Sequence, residues 1–364
     1  MFITDKKELE KYTAPHRVWQ GIPGIEVTKK GRFFVTFYSG RTKETLGNYC
    51  VILLSNDGVH FSEPIAAAVP DDAHRCFDPC LWIDPLGRLW FTWGHAPNHS
   101  VFGVICDDPD ADEIRWSEPF RIGTGVMMNK PTVLSSGEWL FPLCVWKWHN
   151  LDDGQRKSFV YRTDDQGKTF TRFGGSEIEN RTCDEHMVLE MKDGSLAMYV
   201  RTNTGIGVSY SYDRGAAWTE GEDTGWGGPD SRFFIRRLKS GRVLLVNHVN
   251  YTGRSHMTAL LSEDDCKTWK YQLLLDERTG VSYPDGVEAD DGYLYITYDR
   301  ERGYHLDSME KVYASAREIL YAKITEADIM AGTLVDKGSA LKVVATKLGE
   351  YVDGDPFEDP ANLP

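Results

Sequence analysis

The sequence predicts an all-β fold: a six-bladed β-propeller of four-stranded antiparallel blades, formed as one domain over residues 1–364. Three observations predict it. A hairpin glycine recurs at a near-constant interval, a second turn motif recurs in phase with it, and the composition is that of a folded, turn-rich chain.

The hairpins define the blades. A turn glycine stands between two short hydrophobic runs at Gly31, Gly87, Gly137, Gly194, Gly241 and Gly292, and each such segment reads as a β-hairpin. The intervals are 56, 50, 57, 47 and 51 residues, the length of one four-stranded blade. Six hairpins give six blades. A weaker signal at Lys337-Gly338 is assigned to a closing strand, with a seventh blade as the alternative.

The second motif begins 17 to 26 residues after the hairpin glycine in several units: SNDGVHF (Ser55 to Phe61), TDDQGKTF (Thr163 to Phe170), SYDRGAAW (Ser211 to Trp218) and SEDDCKTW (Ser262 to Trp269). These strings resemble the Asp box, S-x-D-x-G-x-T-W. Hydroxyl and carboxylate can bond the turn backbone while the aromatic packs into the blade, so the motif is structural. The copies are imperfect: Phe61 and Phe170 replace Trp, Thr163 replaces Ser, and Cys266 replaces Gly. The segment ending at Trp116, DDPDADEIRW, resembles a decayed fifth copy.

Composition limits the partners. With 41 Lys and Arg against 55 Asp and Glu, the net charge is −14, which repels nucleic acid and leaves a local basic pocket open to a small acidic ligand. Cys50, Cys76, Cys80, Cys106, Cys144, Cys183 and Cys266 are scattered without a paired C-x-x-C array, so no disulfide framework, zinc site or other cofactor is expected. No uncharged apolar run approaches ~18 residues and Met1 to Pro15 lacks a signal-peptide core. The chain is expected to be cytoplasmic and away from membranes, the alternative being a secreted form whose signal has been removed.

In a propeller the innermost strands surround the axis, so residues at their starts share one mouth. Counting back eight to ten residues from the hairpin glycines reaches Gly21, Asp78, Asn129, Glu185, Arg232 and Tyr283; counting forward reaches Arg41, His95, Trp146, Arg201, His248 and Tyr298. Acids, arginines and a tyrosine at one concave opening suit a charged sugar: guanidinium forks for a carboxylate, acids for proton transfer.

These residues resemble, in order over nearly the whole chain, those of the sialidases. The stretch TCDEHMVLEMKDGSLAMYVRT (Thr182 to Thr202) is similar to the family pattern N-E-x-x-x-x-E-x-x-x-G-x-L with an arginine closing the second strand. The resemblance implies that Glu185 is the catalytic glutamate and Arg201 a carboxylate-binding arginine. TGRSHMTALLSEDDCKTW (Thr252 to Trp269) implies a second such arginine at Arg254, and SYPDG implies a tyrosine nucleophile at Tyr283. The family's general acid precedes the first Asp box by eleven residues, which falls on Glu44. The implied activity is exo-acting hydrolysis of a terminal acidic sugar with retention, Tyr283 attacking as Glu185 takes its proton.

One departure stands out. The family's F-R-I-P motif is represented by Gln20-Gly21-Ile22-Pro23, so glycine replaces the first arginine of the carboxylate triad. Arg75 or Arg232 is the candidate third cation, with Asp78 and Asp285 counted among the substrate-binding residues. Sialic acid, another 2-keto-3-deoxy acid and a uronic acid all stay open as substrates. Two other readings are carried forward: a propeller glycosidase or lyase using Asp78, Asp285 or His186, and a non-catalytic carbohydrate- or protein-binding propeller.

Overall fold

The computed structural model describes residues 1–40, 44–71, 73–149, 155–302 and 316–348. All six hairpin glycines lie at positive φ, from 81° at Gly31 to 103° at Gly137. A Cβ at any of the six would meet nothing within 4 Å. The left-handed turn, not crowding, therefore selects glycine there.

The hairpins join the first two strands of six antiparallel sheets. The first blade comprises Trp19–Val27, Phe33–Gly40, Tyr49–Ser55 and Ala66–Ala68, with Phe2–Ile3 added outside it. The second comprises Arg75–Ile83, Leu89–Ala96, Ser100–Cys106 and Phe120–Thr124; the third Thr132–Val133, Trp139–Cys144, Ser158–Thr163 and Thr171–Ser176. The fourth comprises Arg181–Glu190, Leu196–Thr202, Gly205–Ser211 and Glu222–Asp223; the fifth Phe234–Arg237, Val243–Asn247, Met257–Ser262 and Tyr271–Asp276. The sixth comprises Val281–Glu288, Leu294–Arg300, Glu318–Ile324 and Ala340–Lys347. Lys337-Gly338 thus leads into the outer strand of the sixth blade and not into a strand that closes the ring. Closure instead joins blade to blade: Gln20 N donates to Arg302 O at 2.9 Å, and Ile22 N to Asp299 Oδ2 at 2.7 Å.

The cores lie between neighbouring blades. Trp82 and Trp90 of the second meet Trp139 and Phe141 of the third, with Trp82 and Trp139 edge to face at 5.1 Å. The four Asp boxes share one geometry. The leading hydroxyl donates to the aspartate two residues on, at 2.9, 2.8, 2.9 and 2.9 Å for Ser55, Thr163, Ser211 and Ser262. It accepts from the N–H of Gly58, Gly167, Gly215 and Cys266 at 3.0, 3.0, 2.8 and 2.9 Å. Cys266 keeps the turn at φ 67°, a backbone that costs a side-chain-bearing residue ~1 kcal/mol or more. The motif's aromatics Phe61, Phe170, Trp218 and Trp269 pack against the inter-blade cores.

Beneath the mouth, ion pairs fill the space between the innermost strands. Lys130 Nζ donates to Ile25 O, Leu81 O and Glu26 Oε1 at 2.8, 2.7 and 2.7 Å, and lies 3.1 Å from Asp285 Oδ2. Arg232 donates to Asn129 Oδ1, Pro23 O and Met128 O at 2.7, 3.2 and 2.9 Å and pairs with Asp285 at 3.4 Å. These buried charges are satisfied by groups from several blades, as buried charges must be.

Candidate active site

The mouth is shaped by irregular pairing. Register shifts interrupt the first hairpin of four blades, between Gly21 and Gly24, Phe77 and Cys80, Arg181 and Met187, and Ser282 and Asp285. Within these bulges Ile22, Asp78, Glu185 and Tyr283 adopt φ of 57°, 49°, 44° and 57°. Such backbone stores roughly 1–3 kcal/mol per residue, and a bulge re-aims its side chain out of the sheet pattern. Asn129 Nδ2 holds the bulge of the fourth blade, donating to Glu185 O at 2.7 Å and His186 O at 3.1 Å.

Re-aimed in this way, Tyr283 and Glu185 meet across the ring. Tyr283 Oη donates to Glu185 Oε1 at 2.8 Å, and Arg201 Nη1 donates to that same oxygen at 2.7 Å and to Tyr283 Oη at 2.9 Å. Among the described residues, Glu185 Oε2 is buried without a hydrogen-bond partner. Burial pushes the Tyr283 phenol above its ordinary value and the Glu185 charge adds to this, against the pull of Arg201, Arg254 and Arg302. The phenol therefore rests protonated, with the Glu185 carboxylate in contact with it.

Arginines surround this pair. The Arg254 guanidinium carbon lies 5.2 Å from the Tyr283 ring centroid and that of Arg302 4.0 Å. Asp230, which the sequence reading did not single out, accepts from Arg201 Nε at 2.5 Å through its side chain and from Arg254 Nη2 at 3.3 Å through its carbonyl. Arg302 was missed as well. Its Nε donates to Asp299 Oδ2 at 2.9 Å, and its Nη1 lies 3.4 Å from Glu44 Oε1. The DRER segment after the last inner hairpin holds it, but no local pattern marks an arginine beyond the end of a strand.

Glu44 stands at the rim, its other oxygen 3.9 Å from Arg75 Nη1. Arg75 donates to Tyr38 Oη at 3.2 Å and lies over Phe77 at 4.6 Å, so it faces Glu44. Asp78 is buried; burial first, then the charges of Glu44 and Glu185, push its carboxyl well above the usual range against Arg75 and Arg232. It holds its proton to higher pH than an exposed carboxyl.

Three expectations are corrected. Arg232 and Asp285, 0 % and 1 % exposed, belong to the buried network below the mouth, where their charges are taken up by each other and by neighbouring carbonyls, amide and lysine. His186 turns into the blades and bonds Phe159 O at 2.7 Å, and burial lowers its imidazole to about 4. Of the residues counted forward, Tyr298 is fully buried and donates to Asp276 at 3.1 Å, His248 is buried against Ser255 O, and Arg41 lies outside the described residues. Among the described residues, no group of three or more His, Cys, Asp or Glu is arranged to hold a metal, and no helix is long and apolar enough to cross a membrane.

No curated protein matches the sequence. Among solved structures the chain is similar to the NanB sialidase of Streptococcus pneumoniae, with a TM-score of 0.67 and 14 % identity over 87 % of this chain and 70 % of that one. It is similar to the intramolecular trans-sialidase of Ruminococcus gnavus, at 0.65 and 14 % over 86 % and 95 %. It also resembles the α-L-arabinanase of Penicillium chrysogenum, at 0.53 and 14 % over 79 % and 89 %. At such identities the likeness is one of fold. Residues 31–296 match the BNR repeat-like domain, and the chain, a six-bladed propeller, belongs to that family.

Proposed function

We propose that the chain is an exo-acting, retaining glycoside hydrolase that releases a terminal acidic sugar, either sialic acid or a related 2-keto-3-deoxy or uronic acid. One observation carries this reading: Tyr283 Oη bonds Glu185 Oε1 at 2.8 Å, with Arg201 Nη1 bridging both. A binding module has no use for a buried phenol seated on a carboxylate, and its two side chains would be free to lie apart.

The steps follow from these contacts. Tyr283 Oη attacks the anomeric carbon while its proton passes to Glu185 Oε1. The glycosidic C–O bond breaks, and the leaving oxygen takes a proton from a carboxyl group of the mouth. Water then attacks the anomeric carbon, giving its proton to that carboxylate, and tyrosine departs with the proton held by Glu185. A neutral phenol approaches an anionic sugar with less repulsion than a carboxylate nucleophile would. Arg201 and Arg254 supply the cations for the sugar's acid group. Glu44 is the leaving-group acid that the sequence resemblance indicates. Asp78 is the second candidate, favoured by the burial that keeps it protonated.

Release of sugar from aryl glycosides of sialic, other 2-keto-3-deoxy and uronic acids tests the reading, with an aryl α-L-arabinofuranoside as the neutral comparison. Turnover of an acidic glycoside that disappears in Tyr283→Phe is the expected outcome. Turnover of the neutral glycoside alone, or of an acidic one unaffected by Tyr283→Phe, overturns it.

A further inference from the structure

Residue 21 lies at the mouth, on the inner strand of the first blade, and is a glycine for a reason other than its backbone. It does not adopt a left-handed φ, but a Cβ there would meet Arg302 Cδ and Cγ at 2.6 Å each and Nε at 3.0 Å. Any L-residue could take this backbone; none could take this space unless Arg302 moved. The Arg302 main chain is stitched to the same place, its carbonyl accepting Gln20 N at 2.9 Å. Glu301, at φ 46°, turns the chain just before it.

We propose that Arg302 is the third arm of a carboxylate clamp with Arg201 and Arg254, supplied from the sixth blade across the space that Gly21 leaves open. The inference rests on the acidic-sugar function above and assigns its specificity. The geometry is that of a pre-aimed fork. Nε and Nη2 are anchored on Asp299 Oδ2 at 2.9 Å and Ser282 Oγ at 3.2 Å, and Asp299 is itself fixed by Ile22 N and Ser282 Oγ at 2.7 and 2.6 Å. The third contact, Nη1 to Glu44 Oε1, is long at 3.4 Å. Among the described residues, two of the five guanidinium N–H donors remain for a ligand oxygen. Arg302 lies 4.0 Å over the Tyr283 ring, with Arg201 2.9 Å from its hydroxyl and Arg254 5.2 Å from its centroid, so three cations converge on Tyr283, beside which the anomeric carbon sits in the proposed reaction. A sugar with its carboxylate on that carbon fits this convergence better than one with the acid at the far end of the ring.

The test is calorimetric binding of N-acetylneuraminic acid and D-glucuronic acid, each beside its methyl ester, to wild type, Arg302→Ala, Arg302→Lys and the exchange variant Gly21→Arg with Arg302→Gly. Wild type is expected to prefer N-acetylneuraminic acid over its ester. Arg302→Ala should weaken the acid by about a hundredfold and the ester by less than about threefold, the pattern of a lost charge contact. Arg302→Lys keeps a cation beside Asp299 but loses the fork, and is expected to weaken the acid about tenfold. The exchange variant should recover most of the wild-type affinity.

Wild type that prefers neither acid over its ester overturns the acidic-sugar function and this inference together. Preference for D-glucuronic acid alone leaves the function standing and overturns the placement at the anomeric carbon. An acid-selective wild type whose Arg302→Ala and Arg302→Lys variants bind the acid unchanged overturns the inference alone. So does a folded exchange variant that binds no better than Arg302→Ala. Gly21→Ala gives a readout without ligand: a lowered thermal midpoint, restored by Arg302→Gly, is expected, and an unchanged midpoint shows that the two positions do not compete for space.

Discussion

The aspartates of the outer turns and those of the inner strands are one side chain in two opposite environments. Asp57, Asp165, Asp213 and Asp264 accept hydrogen bonds from their own turns, with His60, Thr169, Ala217 and Thr268 leading, and these bonds hold the carboxyls below the usual range, Asp264 at about 2. Asp78 and Asp184 are buried: burial pushes Asp78 well above that range, and Asp184 up to about 6 against the pull of Arg181. A carboxylate that gains bonds on folding stabilises the ring at neutral pH, whereas one that must ionise in a buried place costs stability there. The turns therefore hold the scaffold, and the mouth draws on the stability they provide.

The sharpest way to break this division is at the mouth. Tyr283→Phe removes the proposed nucleophile and is expected to lower kcat/KM by at least about 10³-fold without lowering the thermal midpoint, since Arg201 still satisfies Glu185 Oε1. A matching loss of stability would make Tyr283 scaffold. Next comes the acid. Whichever of Asp78→Asn and Glu44→Gln loses about 10²-fold or more on substrates with poor leaving groups, while sparing activated aryl ones, removes the proton donor. Asp78→Asn should also raise the thermal midpoint at pH 7, because an amide need not take up a proton on folding as the buried carboxyl must; a lowered midpoint would place Asp78 with the scaffold.

The same division decides what the sequence made legible. Hairpin glycines recur in every unit and Asp boxes in four of them, both as local solutions, so the glycine spacing alone indicates six blades. Glu185, Arg201 and Tyr283 were reached by counting because a strand start fixes height along the axis. Counting does not fix direction. Asp285 is two residues beyond Tyr283, and across the Ser282–Asp285 bulge its side chain goes below the mouth to Lys130 and Arg232. Arg232 precedes its strand and is drawn down by Asn129 and two carbonyls. Arg302 escaped because its position is set by contacts with the first blade, some 280 residues away in sequence. Only the unexplained glycine at residue 21 hinted that an arginine was owed from elsewhere.

A substitution confined to an outer turn probes the scaffold side. At Gly167, φ is 86° and a Cβ would meet Trp90 at 2.3 and 2.6 Å. Gly167→Ala is expected to destabilise the fold by about 2 kcal/mol, from backbone strain and overpacking together, with KM and kcat unchanged below the melting transition. Altered kinetics would show that the second and third blades carry strain from the turns into the mouth.

The smallest effect is the pH dependence that separates the two kinds of carboxyl. Asp264 titrates at about 2 when folded and near 4 when unfolded. Its contribution is therefore complete above the unfolded value and is lost as pH falls toward 2. The group is exposed to solvent, so screening keeps that contribution small. In urea unfolding, the stability gap between wild type and Asp264→Asn should close as pH is lowered from about 5 to about 2. Asp78→Asn should show the reverse order: little difference from wild type at low pH, where both forms are neutral, and growing relative stability as pH rises above the unfolded carboxyl's range. A gap for Asp264→Asn that stays constant with pH would mean that the Asp box needs the shape of its aspartate and not the charge. The opposition between turn and mouth would then rest on the mouth alone.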